Sequence, residues 1–163
     1  MVGMIHAAPV YAQIGSKKSA KAADDRVVVD ARVRGALEEA GLKFRVSESG
    51  NYIVLFTVGE NRSQVVYVQS TTEQWGSMEI RQVYSFAYGS KTRLSQAKLE
   101  KLLKANGKLK SGAWELSDGA ELSAIFCVKV AADCDGESLG TVVRGVAEIT
   151  DEVEESFTGK DEH

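Results

Sequence analysis

The side chains best suited to nucleophilic or metal chemistry are few in this chain. It has two cysteines, Cys127 and Cys134, and two histidines, His6 and His163, which lie at its two ends. A Ser/His/Asp or Cys/His site needs an imidazole held beside the nucleophile, and a zinc site needs about four converging ligands. The sequence therefore predicts no catalytic residues and no metal site. Cys127 is expected in the core, and a disulfide with Cys134 is an alternative if the chain is exported.

The other candidates are a group of carboxylates, for acid–base catalysis, and a glycine-containing segment, for phosphate binding. Asp151, Glu152, Glu154 and Glu155 crowd one predicted helix. Paired carboxylates can act as acid and base in a cleft, but consecutive acids on an amphipathic helix more often form its solvated face, which is our interpretation. The segment "GSKTR" (residues 89–93) lacks the spacing of a phosphate-binding loop. We therefore predict no cofactor.

Aromatic residues provide the candidate binding surface. Tyr84, Phe86 and Tyr88 alternate and so would share one side of a strand. That side could bind a partner peptide or pack under a helix. Trp75 is predicted in a loop, where it is a further surface candidate. Trp114 alternates with Leu116 and is interpreted as a core anchor, with a ligand platform as the alternative.

The elements that must position these residues follow from hydrophobic periodicity and turn signals. A first helix, capped by Asp24 or Asp25, ends at Gly41. Strands are predicted over residues 43–49, 52–58, 64–70 and about 79–88, and a second helix over 94–108. Two further strands, 111–117 and 121–130, are joined by a turn at Asp118–Gly119. A last helix, capped by Asp133 or Asp135, extends to Phe157.

This order, α-β-β-β-(β)-α-β-β-α, predicts an α+β fold in which a twisted antiparallel sheet has helices packed on one face. Residues 24–158 form a single domain. Residues 1–23 are predicted to be a flexible leader, and 159–163 a disordered tail.

Composition excludes several classes of function. The net charge is −3, and Lys and Arg are interspersed with acids, so no nucleic-acid partner is expected. No apolar run approaches the length of a membrane span. We expect a cytoplasmic protein. Export to the periplasm is the alternative, because "VYA" before Gln13 resembles the end of a secretory signal.

The segments "LLKANGKLKSGAWELSDG" (102–119), "AIFCVKV" (124–130) and "EITDEVEE" (148–155) together resemble the YbjN-like, type III secretion chaperone-like family. The resemblance extends from about Asp24 to Phe157. It implies a bacterial protein with helices on one side of a twisted antiparallel sheet. The secretion-chaperone relatives are acidic homodimers that hold an extended partner polypeptide, and YbjN-like members are mostly of uncertain role.

Two hypotheses of function follow. The first is a non-enzymatic protein-binding module, chaperone-like or regulatory, that forms a homodimer and binds a polypeptide through a surface containing Trp75, Tyr84, Phe86 and Tyr88. The second is a small-molecule-binding or enzymatic domain with a pocket between helix and sheet. A purely structural subunit of a larger assembly is a third alternative.

Overall fold

The computed structural model describes residues 27–59, 62–117 and 122–158. The predicted leader 1–23, the tail 159–163 and the Asp118–Gly119 turn lie outside these ranges. The helices of the described part are α1 (Ala31–Glu39), α2 (Gln96–Asn106) and α3 (Gly136–Thr158). Its strands are β1 (Arg45–Val46), β2 (Tyr52–Val58), β3 (Arg62–Val68), β4 (Glu73–Trp75), β5 (Met78–Ser90), β6 (Ala113–Leu116) and β7 (Leu122–Ala131).

Within the described residues, the strands form one antiparallel sheet of seven strands in the order β1-β2-β3-β5-β7-β6, and β4 pairs with the start of β5. The α+β prediction and the order of its elements are therefore confirmed. Two details differ. The predicted strand 43–49 shrinks to Arg45–Val46, and the supposed loop before the fourth strand contains β4.

The helices cover one face of the sheet. Alternate residues of the central strands point toward α3 because side chains in a strand alternate between faces. The core residues of this inner face include Val54, Val66, Val83 and Phe126. From α3 they meet a stripe at helical spacing, formed by Leu139, Val143, Val146 and Ala147, each at most 1% exposed.

Two helices depart from the predicted pattern. Helix α1 is capped by Asp30, whose carboxylate accepts from the Arg32 N–H, rather than by Asp24 or Asp25. The apolar periodicity of α2 suggests a buried stripe of Leu99, Leu102 and Leu103, but only Leu102 is buried, while Leu99 and Leu103 are exposed. Helix α2 lies over β6, a strand of four residues at the edge of the sheet.

A buried arginine links the start of α1 to the sheet. The side chain of Arg81 on β5 is 1% exposed. Its guanidinium donates to the Asp30 carboxylate at 2.7 Å, to the Gln69 carbonyl at 2.9 Å and to the Ala132 carbonyl at 2.8 Å. The start of α1, the end of β3 and the segment after β7 are therefore held together by one cation.

A second arginine extends this network to the surface. Arg32 donates to both oxygens of Glu79 at 2.8 Å and also binds Asp30. These hydrogen bonds hold the pKa of the Asp30 carboxyl well below its usual range. Hydrogen bonds from Arg32, and then from Thr72, lower the pKa of Glu79 from 4.5 to about 2. Both acids are therefore expected to stay ionised in the folded chain at mildly acidic pH.

Acid should weaken the fold through Glu79. A carboxyl whose pKa is lower in the folded than in the unfolded chain contributes stability above its unfolded pKa and loses it as the pH falls through the folded pKa. The unfolding free energies of wild type and Glu79→Gln, measured by urea denaturation, should therefore differ at neutral pH and converge between pH 4.5 and about 2. Glu38→Gln, which removes an exposed partner 3.9 Å from Arg34, is the control and should follow the wild type. Parallel wild-type and Glu79→Gln curves would contradict this prediction.

Candidate functional site

The outer face of the sheet lies opposite the helices and carries apolar residues from four strands. The strand register aligns Ile53, Tyr67, Tyr84 and Cys127 in one row across the sheet. In a second row, Leu55 of β2 pairs with Val65 of β3, and Phe86 of β5 pairs with Ile125 of β7. We call this set the outer apolar face: Ile53, Leu55, Val65, Tyr67, Tyr84, Phe86, Ile125 and Cys127.

Three rings form the centre of the outer apolar face. Tyr67 and Tyr84 stack with their centroids 5.1 Å apart and an interplanar angle of 11°. Phe86 meets both edge-on, at 5.8 Å from Tyr67 and 5.7 Å from Tyr84. Burial, followed by the neighbouring Tyr67, raises the pKa of Tyr84. The rings therefore form a neutral and mutually supported aromatic surface, in arrangements that aromatic pairs favour.

Trp75 lies at the tip of the β4–β5 hairpin. It pairs with Met78 across a turn whose Gly76 has a φ of 61°, a left-handed conformation that favours glycine. Trp75 is 70% exposed and Met78 51% exposed. Met78 and Tyr84 are an even number of residues apart on β5, so the hairpin tip continues the side of the sheet that carries the outer apolar face.

Tyr88 does not share that face, which corrects the prediction that Tyr84, Phe86 and Tyr88 lie on one side. A β-bulge shifts the register of β5 against β7 between Phe86 and Tyr88. Tyr88 therefore turns toward the helices, where its ring meets Phe157 at 5.8 Å and the Lys98 ammonium at 3.7 Å. The alternation of aromatic residues gives no sign of the extra residue, so sequence reasoning missed the bulge.

A buried polar cluster under α3 was also missed. The Glu154 carboxylate, 0% exposed, accepts from the Gln64 amide at 2.6 Å, and the Ser85 hydroxyl donates to Gln64 at 3.2 Å and to the Val65 carbonyl at 2.7 Å. Next to it, Arg62 donates to Asp151 at 2.8 Å.

The prediction that all four acids of this helix face solvent is therefore wrong for two of them. Asp151 and Glu154 face β3, because Arg62 and Gln64 provide partners there. The signal in the sequence was Gln64 itself, since it alternates with the buried Val66 and Val68 and so had to lie on the inner face. Because each of these groups is hydrogen-bonded, the cluster is suited to joining α3 to the sheet.

Neither thiol has the properties of a nucleophile. Both cysteines are free, so the disulfide alternative is not seen. Burial raises the pKa of Cys127 to about 11 and also raises that of Cys134. Because the thiolate is the reactive form, neither is activated at neutral pH.

Among residues 27–59, 62–117 and 122–158, no group of His, Cys, Asp or Glu side chains is placed to hold a metal ion. No helix in these ranges has the length and apolar character needed to cross a membrane.

Trp114 lies in the core, as expected. It is 7% exposed and packs against Phe126 with ring centroids 5.2 Å apart. Its backbone N–H donates to the Asn106 side chain at 2.7 Å, and Asn106 donates to its carbonyl at 3.4 Å. The preceding Gly112, at φ 80°, lies where a Cβ would be 2.7 Å from the Cys127 carbonyl, so β6 can approach β7 only with glycine there.

No protein-family model matches the sequence, and a search of curated proteins gives no match. The resemblance to the YbjN-like family therefore still depends on the sequence segments quoted for it.

The different positions of Trp75 and Tyr88 can be tested by measuring how an alanine substitution at each changes the free energy of unfolding. Tyr88→Ala removes a ring packed between α2, α3 and the sheet, and should lower the free energy of unfolding by about 2 kcal/mol. Trp75→Ala removes an exposed ring and should change it by no more than about 0.5 kcal/mol. Urea denaturation of both variants measures this, and equal losses would show that the two rings occupy similar environments.

Proposed function

We propose that this protein is a non-enzymatic protein-binding module, chaperone-like or regulatory in role, whose outer apolar face receives an apolar segment of another polypeptide. The observation that carries the proposal is the position of this face. It presents apolar side chains from β2, β3, β5 and β7 on the side of the sheet opposite α1, α2 and α3. This agrees with the polypeptide binding implied by the family resemblance.

The composition of the face supports a protein partner. Leu55 is 66% exposed at one side, the three aromatic rings of the centre are partly exposed, and Ile53 and Cys127 are buried. Soluble proteins rarely expose a large contiguous apolar surface unless it binds something. Tyrosine and phenylalanine are enriched in the buried centres of protein interfaces, where they supply contact area with little loss of side-chain entropy.

The two edges of the sheet differ. At one edge, Asn106 bonds the backbone N–H and carbonyl of Trp114 on β6. At the other edge, β1 pairs only with Tyr52 and Ile53, and the rest of β2 has no partner strand on that side among the described residues. The proposed site is the outer apolar face rather than this edge, because the aromatic side chains lie on the face.

The chemistry of the partner follows from the side chains of the face. Two cations and two carboxylates lie on the same side of the sheet around the aromatic centre, so the face selects no strong charge: Arg45, Lys129, Glu73 and Glu115. An extended segment presents alternate side chains to one side, about 7 Å apart. We therefore expect a partner segment with apolar side chains at alternate positions.

A non-enzymatic role is supported by the state of the groups that could react. The Cys127 and Cys134 thiols have raised pKa values. The Asp151 and Glu154 carboxylates bind Arg62 and Gln64 beneath α3 rather than facing a cleft. Burial therefore accounts for the two thiols, and hydrogen bonds within the fold account for the two carboxylates.

The homodimer is part of the same proposal but uses a different surface. Leu99 and Leu103 on α2 and Leu116 on β6 are 36%, 73% and 43% exposed. They line one shallow depression at the β6 edge. A second copy that placed the same leucines against this patch would bury them in a two-fold contact.

The outer apolar face can be tested with a displayed library of random peptides selected on the wild-type protein. The selection should enrich peptides with alternating apolar residues. The double variant Tyr84→Thr/Phe86→Thr, which keeps residues favourable for strands, should bind them at least about tenfold more weakly because it removes two rings from the centre. Leu99→Ser/Leu103→Ser, on the opposite side of the molecule, should bind them as the wild type does. Failure to enrich such peptides, or equal binding by the Tyr84/Phe86 variant, would overturn the proposal.

The dimer can be tested by sedimentation equilibrium of the same proteins. We expect the wild type and the Tyr84/Phe86 variant to sediment at about twice the chain mass of 17.6 kDa. Leu99→Ser/Leu103→Ser should sediment as a monomer, because it makes the α2 patch polar. A monomeric wild type at high concentration would refute the homodimer.

A further inference from the structure

A groove lies between α2 and α3 on the inner side of the molecule, remote from the outer apolar face. Its volume is about 690 Å³, and Trp114 lies among its lining residues. Apolar side chains line much of it: Ala105, Leu109, Ile149 and Val153. The size is within the range of about 300–1,000 Å³ typical of small-molecule sites, and such sites are mostly apolar with a few polar groups.

A polar group beside the groove is the indole N–H of Trp114, a residue that also lines the depression at the β6 edge. The residue is 7% exposed, and its Nε1–H has no hydrogen-bond partner among the described residues. A buried indole N–H normally finds an acceptor, since leaving it unpaired has a free-energy cost. The ring packs against Phe126 with centroids 5.2 Å apart, which holds the indole in this position. The groove is therefore lined by a residue with an unused donor.

The second polar feature is positive charge along α2. Lys101, Lys104 and Lys108 recur at three- and four-residue steps and line the groove, opposed by Glu100 and Glu152. Glu100 lies 3.7 Å from Lys104, and the side chains of that pair are 51% and 78% exposed. Three cations against two carboxylates leave the lining with an excess of one positive charge.

We propose that the α2–α3 groove binds a small amphipathic anion, a carboxylic acid with an apolar body. A carboxylate can accept a hydrogen bond from the Trp114 Nε1–H and is attracted by the lysines, while an aliphatic or aromatic body lies against Leu109, Ile149 and Val153. Because Nε1 is shielded from solvent in this conformation, binding requires side chains of the groove wall to move. The long, exposed lysine side chains allow such movement.

This site is independent of the outer apolar face, so each can fail without the other. Tyr84 and Phe86 lie on the opposite side of the sheet from Trp114, whose inner-face neighbour is Phe126. If the outer apolar face binds no peptide, the groove can still bind its ligand. If the groove binds no ligand, the outer apolar face can still bind peptides.

Sodium decanoate below its micellar concentration is the probe. In a Trp75→Phe background Trp114 is the only tryptophan of the chain, and it lines both the groove and the β6-edge depression. A saturable change in its emission that persists in Leu99→Ser/Leu103→Ser therefore reports on the groove. We expect decanoate to bind one molecule per chain by isothermal titration calorimetry. Decanol should bind more weakly, and decyltrimethylammonium, with the opposite charge on the same chain, should not bind at this site. Equal binding of all three, or no saturable binding of decanoate, would overturn the proposal.

Variants test the contributions of the α2 lysines and of the Trp114 indole N–H to binding one at a time. Lys104→Gln/Lys108→Gln should weaken decanoate binding roughly fivefold, because it removes two exposed charges. Lys129→Gln, which removes one exposed lysine from the outer side of the sheet, should leave affinity unchanged. Trp114→Phe should also weaken binding roughly fivefold through loss of the indole donor, measured by calorimetry after circular dichroism confirms folding. If the lysine double variant binds decanoate as tightly as Lys129→Gln does, the proposed charge recognition is wrong.

Discussion

The hydrogen bonds of Arg81 are the constraint on which the arrangement of this fold most depends. One guanidinium, on the central strand β5, binds the cap of α1, the end of β3 and the link from β7 to α3. These contacts fix where α1 begins and where α3 leaves the sheet. Removing one partner of a buried ion pair commonly costs about 3–5 kcal/mol, because the other charge stays buried without compensation. The position of both helices over the inner face therefore depends on this one side chain.

The two faces of the sheet carry an unusual distribution of polarity. The inner face, under α3, holds Gln64, Ser85 and Arg81 among its apolar residues, each satisfied by hydrogen bonds. The outer face carries stacked tyrosines and exposed Leu55. Polar groups in a core are tolerated when they are paired, whereas an apolar surface that no helix covers calls for a binding partner. The proposed function follows from this contrast.

A single β-bulge decides the composition of the outer apolar face. Without the register shift after Phe86, Tyr88 would extend the aromatic row. With the shift, its ring contacts Phe157 and lies under Lys98, where it joins α2 and α3 to β5. Tyr84 and Phe86 therefore lie on the outer face, and Tyr88 packs under the helices.

The sequence by itself determined the α+β class, the order of the main elements, the amphipathic face of α3 and the core position of Trp114, because each depends on local periodicity and turn residues. Only the tertiary structure decided that Asp30 caps α1, that Asp151 and Glu154 are buried, and that Tyr88 leaves the aromatic row. Those outcomes depend on partners that are remote in sequence: Arg81 for Asp30, Arg62 and Gln64 for the two acids, and Ala124 opposite the bulge. Periodicity reports which side of an element a residue occupies, but not which residue another strand places against it.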